Sequence, residues 1–221
     1  MEKISELLRT VPIMQFLLVC VMVFFASSKV TIQGAASRRH IRCPQDSLLY
    51  NSMFFAFVGL TLACLFSVAV PTSELILWSF MLAVSTVLFQ VSFSIALTEG
   101  PVSLTTLIAN LAVIVPTVVS AVVFREKIYF SQLLGIIMLI ISLPLSMKEG
   151  GEGEMKISRK WVFICAIAFL AHSTLITLQK LFVITDSSKL ENASNTFLIF
   201  AYIFSAVMAF VLLRDIRFRC K

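Results

Sequence analysis

Between Phe93 and Met147 two apolar stretches are separated by one charged turn, Arg125-Glu126-Lys127. Val102–Phe124 and Phe130–Met147 are each long enough, as helices, to cross a hydrocarbon layer of about 30 Å. No water reaches that layer, so the backbone must satisfy its own polar groups, and a short turn makes the two helices antiparallel. The stretch is a membrane hairpin, and it limits what the remaining chain can be.

Composition agrees. Hydrophobic residues make up 59% of the 221 residues and charged residues 14%, against roughly half and a quarter in a soluble domain. The net charge of +6 comes from Lys and Arg placed in turns and at the ends of apolar runs. That distribution reads as membrane topology with attraction to anionic lipid. No basic patch is interleaved with aromatics, so no nucleic-acid partner is expected. The five cysteines form no CxxC: Cys20, Cys64 and Cys165 lie in apolar runs, Cys43 and Cys220 in polar ones. They read as small apolar residues, not as disulfide or zinc ligands. The chain has no phosphate-binding Gly loop, no HExxH and no paired carboxylates within one apolar run, so neither an enzyme nor a cofactor is expected.

After a polar lead with Lys3 and Arg9, the first span runs from about Val11 to Gln33. It is too long and lacks the small-residue cleavage site of a signal peptide. Gly34–Ser47 reads as a loop with Arg38, Arg39, His40 and Arg42. A second span, Leu48–Val70, is closed by Pro71, and a third runs from Leu75 to Leu97. After the hairpin, 148–160 has linker composition, with Gly150, Gly151 and Gly153 among charges. Trp161–Ile184 and Ser194–Leu213 are the sixth and seventh spans, before a basic tail. The expected fold is all-α, a polytopic membrane bundle of about seven helices.

Ser27-Ser28-Lys29-Val30-Thr31-Ile32-Gln33 aligns without gaps on Ser173-Thr174-Leu175-Ile176-Thr177-Leu178-Gln179, an offset of 146 residues. Asn51-Ser52 against Asn195-Thr196 extends the match weakly. Five spans lie between equivalent positions, so the second copy enters the membrane in the opposite direction, as an inverted-topology repeat does.

The hairpin resembles the end of an EamA-type repeat of the drug/metabolite transporter superfamily. The features are Ala96-Leu97, the Gly100-Pro101 turn, Pro116 within the fourth span, the Glu126 turn, and Gln132 followed by Gly135. Ser142 and Pro144 stand where that family often has glycine. The resemblance implies two five-helix repeats: the first over 1–147, a linker over 148–160, and a second over 161–221 with only two helices. It implies a carrier moving a small organic solute, such as an amino acid, metabolite or drug-like amphiphile, by alternating access in the cell membrane. On this reading the chain does not transport alone: a second copy or a complementing chain supplies the missing wall, or the sequence is a fragment of a longer reading frame, as the polar tail from Arg214 to Lys221 suggests. A non-transporting receptor or assembly subunit, or an inactive fragment, on the same fold is the alternative.

The third span carries a polar stripe, Thr86, Gln90 and Ser94, and the fourth carries Ser103, Thr106, Asn110, Thr117 and Ser120. Such groups face protein or water, as interhelical hydrogen-bond partners or cavity lining. Lys29 is either a pathway residue or a snorkelling one. His172 is either a proton-coupling group or a neutral hydrogen-bond donor. Glu99 and Glu126 read as solvated turn residues. The substrate-cavity candidates are Ser28, Lys29, Gln90, Ser94, Asn110, His172, Ser173 and Thr177. The resemblance places the N-terminus in the cytoplasm, although the positive-inside count favours the reverse.

Overall fold

A computed structural model describes residues 2–41, 44–148, 158–185 and 192–215. Among them are eight helices: α1 Glu2–His40, α2 Pro44–Leu65, α3 Ser73–Glu99, α4 Val102–Leu111, α5 Ile114–Val123, α6 Phe130–Lys148, α7 Arg159–Ile184 and α8 Ala193–Asp215. With α4 and α5 taken as one span, six helices are long and apolar enough to cross a membrane, and α6 adds a shorter apolar stretch, Gln132–Ser142. The chain is a multi-pass membrane bundle.

The central helix is α3, whose apolar window is mostly buried, whereas that of α1 is almost wholly bare. Thr72 caps its start, accepting the N–H of Leu75 and thereby satisfying one of the first-turn donors. Along its length α3 packs against α7 and α8, and α2 packs against α8. Leu75 and Leu82 of α3 meet Phe182 of α7 and Phe197 and Ala201 of α8 in one cluster. Within it Phe182 and Phe197 stack, with ring centroids 4.0 Å apart. Small hydroxyl residues permit the close approach. Ser79 shares its proton between Leu75 and the Phe197 carbonyl oxygen at 3.1 Å, and Ser205 of α8 reaches Ala83 of α3 at 3.4 Å.

Three boundaries differ from those read in the sequence. The first helix runs to His40, so the expected loop from Gly34 is helical. Gln33, Gly34 and Ser37 are buried against the bundle, and burial outweighs the turn signal that glycine and serine give. The second helix stops at Leu65. Pro71 removes a donor and drives Val70 out of the helical region, and Ala69 N–H bonds the Thr196 hydroxyl instead, at 2.7 Å. The fourth span is two helices, broken at Ala112-Val113. The linker reading over 148–160, Cys43 and Cys220 fall wholly or largely outside the described residues.

Candidate functional site

Two ion pairs set the depth of the bundle. Lys160 at the start of α7 pairs with Glu99, and Lys180 near its end pairs with Glu126 and also donates to Ser120 Oγ. Twenty residues of helix separate the two lysines, about 30 Å, which is the thickness of the hydrocarbon layer. Glu99 and Glu126, read in the sequence as solvated turns, are therefore salt-bridged ties to α7, one from the end of α3 and one from the turn after α5. Beside the first pair, Trp161 Nε1–H donates to Thr105 Oγ1 at 3.1 Å and Arg38 donates to the Gly100 carbonyl at 3.2 Å.

Midway between these ties the α4–α5 span breaks. Pro116 has no N–H to offer the Ala112 carbonyl. The backbone tightens instead, with Ala112 N–H bonding Ala109 and Val113 N–H bonding Asn110, both at 3.2 Å. Irregular backbone at membrane depth is tolerated only where protein or a cavity covers it. Here α7 covers it: His172 Nδ1 lies 2.8 Å from the Ala109 oxygen, and Ser173 Oγ lies 3.3 Å from the Ala112 oxygen. A carbonyl only accepts, so Nδ1 carries the proton in this contact. The imidazole stacks on Phe89, centroids 4.1 Å apart.

Beside His172 is a cavity of about 170 Å³. Its α3 wall is Leu82, Thr86, Phe89 and Gln90. The α7 wall is His172, Leu175 and Gln179, and α8 contributes Leu198, Ala201 and Tyr202. Gln90 is nine residues before Glu99, about 14 Å from that interface, and His172 is twelve beyond Lys160, about 18 Å. The cavity therefore sits near the midplane.

On its other side Gln90 belongs to a network that ties α1 and α2 to α3. Gln33 Nε2 donates to Gln90 Oε1 and Ser94 Oγ, each at 3.2 Å, and Asn51 Nδ2 reaches Ser94 Oγ at 3.3 Å. Lys29 lies one turn before Gln33 on the same face of α1. It is nine residues before Arg38, again about 14 Å deep, and too far from His40 to snorkel to that interface. Its Nζ stands 5.2 Å from the centroid of the Phe54 ring, a cation–π contact. Among the described residues no carboxylate pairs with it. A charge at this depth costs at least about 2.5 kcal/mol.

The structure thus places Gln90, His172 and Ser173 near the midplane, Ser94 about 8 Å from the Glu99 end of α3, and Lys29 exposed on α1. Ser28 is half-buried on α1. Thr177 donates to the Ser173 carbonyl at 2.7 Å, as Thr31 does to Ser27 at the repeat-related position. Asn110 is apart from these: it lines a groove of about 560 Å³ between α1 and α4, with Ser103 and Thr106. Of the motif residues, Pro116 makes the break and Glu126 the ion pair. Gln132 Oε1 accepts the N–H of Tyr129 at 3.1 Å, the reciprocal half of a capping box at the start of α6. Gly135 faces open space. Sequence reading did not single out Gln179, Phe89 or Tyr202. Gln179 lies seven residues after His172, on the same helix face, and that spacing was a usable signal; the other two read as ordinary apolar-span aromatics.

Residues 12–147, more than half of the chain, match the EamA-like transporter family. No curated protein is matched, and no solved structure is matched.

Proposed function

The chain belongs to the EamA-like transporter family of the drug/metabolite transporter superfamily, and from that premise we propose that it carries a small organic solute by alternating access around the midplane cavity. In this reading 1–147 is the first five-helix repeat, 148–160 the linker and 161–221 the second, inverted repeat. One observation carries the proposal: the cavity has α3 of the first repeat as one wall and α7 and α8 of the second as the other. Rocking of one repeat on the other opens such a site to each side of the membrane in turn. The broken α4–α5 span supports it, since discontinuous helices beside a midplane site are the usual construction in secondary carriers.

Counterflow in liposomes tests the reading. With yields matched, Gln90→Ala and His172→Ala are expected to cut flux about tenfold or more, while Asn110→Ala stays within about twofold. Equal flux in all three would refute the assignment of this cavity.

A further inference from the structure

We propose that the solute is an uncharged organic molecule of about benzene's size, an amide or an alcohol, hydrogen-bonded among Gln90, Gln179 and Tyr202 with its apolar body against Phe89 and Leu175. The inference rests on the carrier reading, and it deepens that reading by naming a substrate class.

Charge decides first. The polar residues lining the cavity are Thr86, Gln90, His172, Gln179 and Tyr202, and none is an acid, a lysine or an arginine. Lys180 follows Gln179 in the chain, but it lines a different pocket, where it pairs with Glu126. Lys29 stands exposed on α1 and lines no part of the cavity. His172 stacks on Phe89, and no carboxylate pairs with it among the described residues, so the neutral ring is the form that this depth favours. An ionised solute gives up its hydration to enter the apolar layer and finds no opposite charge to replace it. A free amino acid brings two charges and finds a partner for neither. The carbonyls freed by the helix break do not serve instead, because His172 and Ser173 already cover those of Ala109 and Ala112.

Hydrogen bonding then separates a polar solute from an apolar one. Thr86 Oγ1 donates to the Leu82 carbonyl at 2.7 Å and His172 Nδ1 to that of Ala109, so these two donors are spent. Three groups are not. Gln33 takes Gln90 Oε1, which leaves the amide N–H groups of Gln90, the carboxamide of Gln179 and the hydroxyl of Tyr202 with no hydrogen bond among the described residues. Polar groups left unpaired in the apolar layer are costly, so the site favours an occupant that both accepts and donates. Amides and alcohols do both without carrying a charge. The volume, about 170 Å³, is near the roughly 150 Å³ that accepts a benzene ring.

Probes of nearly one shape separate charge from polarity: benzamide and phenol against benzoate, benzamidine and toluene. Calorimetric binding to the full chain in nanodiscs, with empty nanodiscs as the blank, is read beside counterflow in liposomes. Benzamide or phenol is expected to bind, with toluene about tenfold weaker and benzoate and benzamidine roughly 100-fold weaker. Whichever of benzamide and phenol binds tighter distinguishes an amide solute from an alcohol. At least one of Gln90→Met, Gln179→Met and Tyr202→Phe should weaken that probe about tenfold while leaving toluene within about threefold. Thermal unfolding serves as the folding control. The proposal is overturned if neither benzamide nor phenol binds, if benzoate, benzamidine or toluene binds as tightly, or if the folded variants all bind the probe unchanged. Binding of benzamide or phenol without flux would leave the proposal standing and remove the carrier reading. Flux of benzoate or benzamidine above that of benzamide and phenol would do the reverse.

Discussion

Nδ1 of His172 stands 2.8 Å from the carbonyl oxygen of Ala109, so a side chain of α7 completes the hydrogen bonding of α4 where that helix breaks. Ser173 does the same at Ala112. Two consecutive residues of one helix thereby hold the break in another open.

The break should close when its cause is removed. Pro116→Ala restores an N–H one turn after Ala112 and lets α4 and α5 join. The expected gain in stability is roughly 1–3 kcal/mol, read as a higher unfolding midpoint in mixed micelles. Counterflow should fall at the same time, because the Ala112 oxygen then turns away from Ser173. Unchanged stability together with unchanged flux would mean that the break has another origin.

The ion pair at the far end of α7 should behave as a replaceable tie. Lys180 and Glu126 are both partly exposed, so Glu126→Lys is expected to cost only about 1 kcal/mol. The double swap Glu126→Lys with Lys180→Glu should recover most of it. A double-mutant cycle with no coupling would show the pair to be incidental.

At the other end the tie is steric. A Cβ on Gly100 would lie 2.2–2.7 Å from atoms of the Trp161 indole ring, although the backbone there is extended and unstrained. Gly100→Ala must displace the indole from Thr105, at roughly 1–3 kcal/mol, with a shift in tryptophan emission. In a Trp161→Leu background the same substitution should cost far less; an equal cost in both backgrounds would contradict this packing.

Orientation is open to thiol chemistry. With the N-terminus in the cytoplasm, Cys43 reacts with an impermeant reagent in intact cells. Protection of Cys43 combined with labelling of Lys3→Cys would reverse the orientation.

Much of this protein was legible without coordinates. The apolar runs locate the spans because hydrocarbon accepts only helices that satisfy their own backbone, and Pro116, Glu126 and Gln132 mark real local devices. The buried stripe of Thr86, Gln90 and Ser94 was readable from its four-residue spacing. Element ends were less so. Gly34 and Ser37 signal a loop locally, yet α1 continues through them because α3 and α4 pack on that turn.

The sequence by itself determined that the chain crosses the membrane repeatedly as helices and that polar groups line some of their faces, since both follow from what a single helix can hide from lipid. Only the tertiary structure decided which polar groups meet. Gln90 and His172 share a cavity and Asn110 does not, Lys160 finds Glu99, and Lys29 stands exposed over the Phe54 ring. Periodicity specifies a face, whereas the neighbour of that face depends on how α3, α7 and α8 pack through Leu75, Phe182 and Phe197, contacts between residues far apart in the chain that no local pattern encodes.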